Sequence, residues 1–148
     1  MKILLASSLY LAFFWCYSSC HSAPAPAVAF ITTVSGEVFV VSSQTTLQAL
    51  PNMKIGQGDT IKTGVAGGVG LIFDDDTVAS LGPDSEIVVE SFLFNPVDNE
   101  LSFVTKLIKG TFCFITGQIA KLAPKAVVFE TPDATLCVRG TKFLVNID

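Results

Sequence analysis

From Phe30 onward the chain alternates short β-branched and aromatic runs with polar positions, and Gly, Pro, Asp or Ser breaks the pattern about every eight to twelve residues. The pattern predicts strands over residues 34–41, 59–62, 68–73, 77–81, 86–94, 100–108, 111–116, 126–131, 135–139 and 142–147. Ser42-Ser43-Gln44 reads as a polar turn after the first of these. No segment keeps an apolar period of about 3.6 residues over three turns, so almost no helix is expected. Short strands without intervening helices predict an all-β unit, either β-helix or solenoid-like or sandwich-like. The recurring glycines, Gly56, Gly58, Gly64, Gly67, Gly68, Gly70, Gly82, Gly110, Gly117 and Gly140, suggest repeated tight corners and favour the coiled arrangement, although no strict sequence period accompanies them.

The first 29 residues follow a different pattern. Lys2 precedes an apolar run from Ile3 to Trp15, and Ala25-Pro26-Ala27 and Ala27-Val28-Ala29 both fit the small-x-small rule for secretory cleavage. The run falls short of the roughly 20 residues that span a bilayer, and no later stretch is long enough, so no transmembrane helix is expected in the mature chain. Residues 1–29 are read as an export signal and 30–148 as one β domain, periplasmic or secreted. The alternative exit is Cys20, where small residues precede a cysteine just past the apolar run. Lipidation there would leave a membrane-anchored lipoprotein with residues 21–29 as a Pro/Ala tether.

Removing the leader changes the available chemistry. Tyr10, Trp15, Cys16, Tyr17, Cys20 and His21 go with it, which leaves no Trp, Tyr or His. His-dependent nucleophilic triads and His-ligated metal sites lose their usual parts, so no catalytic residue, metal or cofactor is assigned. With Lys2 gone, eight cations face thirteen anions, a net charge of −5, and no basic face for nucleic acid is visible.

The remaining candidates are few. Asp74-Asp75-Asp76 offers hard oxygen ligands but lacks calcium-loop spacing, so it reads as a hairpin turn whose aspartates bond backbone and tolerate positive φ. Gly56-Gln57-Gly58-Asp59 and Gly64–Gly68 resemble phosphate loops in composition only, since neither opens a helix. Asp84 and Glu86 are paired carboxylates beside a Gly-Pro turn, with nothing to separate their acidities. Cys113 and Cys137 are expected on outer faces and would pair as a disulfide if their strands are neighbours; otherwise they are unpaired, half-buried thiols. Arg139 is the one arginine, and its planar fork suits loop carbonyls or a carboxylate. A structural role is favoured over a partner-binding one, with Asp59, Glu130 and Asp133 as candidate acceptors and a loss of thermal stability expected for Arg139→Lys.

Several blocks occur together in order: Ser35-Gly36-Glu37-Val38, Gly56-x-Gly58-Asp59-x-Ile61-x-Thr63-Gly64, Leu71-x-Phe73-x-Asp75 and Leu81-Gly82-Pro83-x-Ser85. The second half continues with Leu107-x-x-Gly110-x-Phe112-x-Phe114-x-Thr116-Gly117, Phe129-x-Thr131-Pro132-x-Ala134 and Val138-Arg139-Gly140-Thr141-x-Phe143. This string, over residues 34–146, resembles the FecR domain family. It departs at Asp76, where that family usually has Gly, and at Cys137, where a small residue is common.

The resemblance implies a β-rich extracytoplasmic module, similar to the periplasmic part of regulators that relay a transporter signal to a sigma factor. Without a sigma-binding segment or membrane helix, the chain looks more like exported stand-alone relatives. Two functions are carried forward. The first is a non-enzymatic module with an envelope protein partner in signalling or assembly, which would place Arg139, Gly140, Thr141 and Asp59 in structural or partner-binding roles. The second is an envelope structural or wall-glycan-binding protein, which the lack of Trp and Tyr disfavours.

Overall fold

The computed structural model describes residues 25–148. Cys20 and most of the leader reading lie outside them. The described residues form twelve strands: β1 (Ala27–Ser35), β2 (Val38–Ser42), β3 (Thr45–Gln48), β4 (Lys54–Gly56), β5 (Thr60–Thr63), β6 (Gly68–Phe73), β7 (Val78–Leu81), β8 (Glu86–Asn95), β9 (Glu100–Ile115), β10 (Val127–Glu130), β11 (Thr135–Cys137) and β12 (Lys142–Ile147). The helical content among the described residues is one short helix, α1 (Gln118–Leu122), and a 3-10 turn over Pro124–Ala126. The all-β class is as the alternation implies.

The strands make one antiparallel sheet that curls into a half-barrel. One half runs β4-β1-β6-β7-β9-β12 and the other β3-β2-β5-β8-β9-β10-β11, so β9 belongs to both. A solenoid would stack its strands in parallel. Here β9 with β10 is the one parallel pair among the described residues, and the arrangement observed is the curled, mainly antiparallel half-barrel rather than a parallel stack.

Two boundaries differ from the sequence expectation for one reason: a single glycine redirects the chain. The run 34–41 is split at Gly36, which has φ +64°, and β1 and β2 enter opposite halves. Conversely, the two strands expected over 100–108 and 111–116 are one strand, bent at Gly110 with φ +103°. Before the bend β9 pairs with β8; after it, β9 pairs with β7 and β12. The predicted Ser42–Gln44 turn is present, with positive φ at Ser43 and Gln44, a geometry suited to a tight hairpin. β3 escapes the alternation rule because all four of its residues are exposed.

The concave side holds the core. Val38, Val40, Ile61, Ile87, Phe103 and Leu107 come from one half and Ala29, Ile31, Leu71, Phe73, Phe112 and Phe114 from the other, all essentially buried. Phenylalanines join the halves. Phe103 packs edge-on against Phe73 at 4.8 Å and Phe129 at 5.7 Å, and Phe129 lies 4.4 Å from Phe114. Ala27–Ala29, the last three residues of the span read as leader, already belong to β1. Ala29 is fully buried and pairs with Ile55 and Phe73.

Candidate functional site

The three aspartates form the turn between β6 and β7. Asp76 takes φ +65°, and the Asp75 carboxylate accepts from the Thr77 N–H at 3.1 Å and the Thr77 hydroxyl at 2.8 Å. Asp75 also serves the start of α1, where the first N–H groups have no partner within the helix. Its Oδ2 accepts the Ile119 N–H at 3.2 Å, and its carbonyl accepts the Gln118 N–H at 2.7 Å. The Thr77 hydroxyl accepts the Gly117 N–H at 3.0 Å. The acidic triplet is thus a structural clasp, and its buried member fastens the helix to the sheet. Among the described residues no group of three or more His, Cys, Asp or Glu is placed to hold a metal ion.

The other carboxylates singled out by sequence also have local roles. Asp59 accepts the Gly56 N–H at 2.7 Å and closes its own loop. Asp84 is exposed in a turn at φ +50°, while Glu86 faces Lys62 across β5 and β8 at 3.0 Å. Surface pairs of this kind, here with Glu86 half-buried, contribute about 0–1 kcal/mol. Residue types gave no hint of a buried hydroxyl pair beside them. The Thr63 hydroxyl accepts the Ser85 N–H at 2.8 Å and donates to the Gly82 carbonyl at 2.6 Å, while the Ser85 hydroxyl accepts the Thr111 N–H at 3.1 Å.

The segment Val138–Thr141 is anchored at one end and open at the other. The buried Thr116 hydroxyl donates to the Gly140 carbonyl at 2.9 Å, and the Thr116 N–H donates to the Thr141 carbonyl at 2.9 Å. Gly140 and Thr141 therefore contribute backbone acceptors to the β9 end. Arg139 points elsewhere. It is exposed and makes no ion pair or hydrogen bond among the described residues, so the expected acceptors are corrected: Asp59 is occupied with Gly56, and Glu130 and Asp133 line a different cavity. Arg139 instead borders an open groove of about 710 Å³ with Val138 and Cys137 on one wall and Ala123, Pro124 and Lys125 on the other.

Cys113 and Cys137 are free thiols, the first half-buried and the second exposed. The alternation correctly turned Cys113 away from the buried Phe112 and Phe114. The disulfide expectation is nonetheless corrected. Cys113 lies past the Gly110 bend, opposite Ser80 and Leu144, whereas Cys137 sits on β11, opposite Val128, with β10 between β11 and β9.

The described residues thus form a curled all-β sheet with a carboxylate-clasped turn and an open groove that Arg139 helps to line. The chain belongs to the FecR family: the family described as "FecR protein" matches residues 59–148, from Asp59 through the Asp75 clasp to the Arg139 loop. β1 to β4 precede the match; β1 pairs with β6 and β2 with β5 inside it, and β4 and β3 join the sheet through β1 and β2. No curated protein and no solved structure matches the chain significantly. The family is signalling-related, envelope-associated and not known as an enzyme family. No helix among the described residues is long and apolar enough to cross a membrane.

Proposed function

We propose that the chain is an exported, non-enzymatic module that binds a protein partner in envelope signalling or assembly. The observation that carries this reading is Arg139: the chain's one arginine has no acceptor among the described residues, on a loop whose backbone is pinned by Thr116, beside an apolar groove. A guanidinium on an anchored loop with its donors uncommitted suits a carboxylate supplied from outside. Family membership supports a signalling context.

Because Arg139 is exposed and has no partner among the described residues, Arg139→Gln and Arg139→Lys are expected to leave the unfolding midpoint within roughly 1–2 °C of the parent in a calorimetric scan, as surface substitutions generally do. A larger loss would return Arg139 to the structural role. The export reading carries its own constraint. Cleavage after Ala29 would remove the buried Val28 and Ala29 and the carbonyl of Val28 that accepts the Asp74 N–H, whereas cleavage after Ala27 or at Cys20 keeps them. Amino-terminal sequencing of the exported protein is expected to start no later than Val28; a start at Phe30 contradicts this.

The reading is tested by cross-linking the tagged full chain in its own cell envelope and identifying captured proteins by mass spectrometry. Enrichment of a transporter, sensor or membrane regulator supports it. Recovery of wall fragments alone shifts the function to an envelope structural role.

A further inference from the structure

Resting on that reading, we propose that the groove bordered by Arg139 and Lys125 receives an extended, acidic and aliphatic segment of a partner polypeptide. The placement of charge comes first. β10 and β11 form a hairpin, and the groove lies at its open end, where Ala123–Lys125 lead into β10 and Val138 and Arg139 leave β11. The hairpin's acidic residues, Glu130 and Asp133, lie at its closed end and line a second cavity of about 650 Å³ with Lys106 and Thr131. A chain with an excess of acid thus presents two cations at one end of this hairpin. Neither Lys125 nor Arg139 has an acidic partner among the described residues.

The walls and the edge narrow the ligand further. Ala123, Pro124 and Val138 supply an aliphatic surface between the two cations, which suits a short aliphatic side chain next to a carboxylate. Among the described residues β11 pairs with β10 alone, which leaves its other edge with unpaired backbone N–H and C=O groups there. A polypeptide can complete that ladder while its side chains alternate into the groove; a fatty acid or a lipid headgroup cannot. The bidentate fork of Arg139 then takes the carboxylate, and Lys125 adds a point charge from the facing wall.

Cys137 lines the groove and is exposed, which provides a direct reporter. The full chain is alkylated with iodoacetamide and the extent at Cys137 and Cys113 is followed by mass spectrometry. The probes are an acetylated, amidated peptide of alternating Leu and Glu, its Leu and Gln counterpart, dodecanoate, and phosphatidylglycerol vesicles. The Leu-Glu peptide is expected to slow alkylation of Cys137 about fivefold or more and to leave Cys113 unchanged, with the effect fading as salt is raised. Arg139→Gln and Lys125→Gln should each reduce that protection severalfold. Equal protection by the Leu-Gln peptide, protection by dodecanoate or vesicles alone, or no protection at all overturns the proposal. If the peptide fails while envelope capture still enriches a membrane regulator, the groove assignment falls and the interaction module stands. If capture yields wall fragments alone, the module reading falls whatever the peptide does.

Discussion

Asp75→Ala is expected to lower the unfolding midpoint by roughly 10–20 °C, a large effect for the loss of one polar side chain. The carboxylate is fully buried and accepts the Thr77 N–H, the Thr77 hydroxyl and the Ile119 N–H. Truncation leaves two backbone donors without partners and opens a void beneath α1. Each unsatisfied buried donor costs about 1–3 kcal/mol, so a total of about 3–5 kcal/mol follows. Asp75→Asn keeps one acceptor oxygen but turns an NH2 toward a donor, and should lose roughly half as much. Calorimetry on both variants, with amide exchange at Gly117–Ile119, measures the loss and locates it. A shift for Asp75→Ala of less than about 3 °C would show that other contacts hold the clasp.

Gly110→Ala should be comparably damaging for a different reason. At φ +103° an L side chain is strained, and a Cβ there would meet the Ser85 hydroxyl and lie 2.5 Å from the Ser85 Cα and 2.6 Å from its Cβ. Ser85 cannot yield easily, because its N–H is bonded to the Thr63 hydroxyl and its own hydroxyl to the Thr111 N–H. The substitution acts where β9 changes halves, so relief would require moving the strand that both halves share. A loss of at least about 3 kcal/mol in urea unfolding is expected. Gly82→Ala is the control: the nearest atom to its Cβ is Thr111 Cβ at 3.5 Å, and a change within about 1 kcal/mol is expected. Equal losses in the two variants would show that the bend at Gly110 has no special hold on the fold.

The contrast between these residues and Arg139 indicates what a sequence of this kind discloses. Alternation assigned the face correctly in Phe112-Cys113-Phe114, where one side of the strand is buried. It failed for Thr45–Gln48, which is exposed on both faces, and at Gly36 and Gly110. Glycine permits either a turn or a bent continuation, and the surrounding apolar residues do not distinguish them. The parallel pairing of β9 with β10 depends on a crossover through α1, which no local pattern encodes. For the site, the single arginine stood out but its acceptors did not. Asp59 is taken by a loop N–H three residues away, a contact legible only once the turn is formed. The groove stayed hidden because Ala123–Lys125 and Cys137–Arg139 are distant in sequence, and the β10–β11 hairpin brings them together.

The central claim is that this FecR-family chain meets a protein partner through the Arg139 face. The most direct measurement is site-specific photo-crosslinking in the native envelope, with the photoreactive residue placed at Lys125 in one protein and at the exposed Leu93 of β8 in another. A single dominant protein adduct is expected from position 125, lost on adding Arg139→Gln, and none from position 93. Equal adducts from both positions, or an adduct at 125 that persists without Arg139, would contradict the claim.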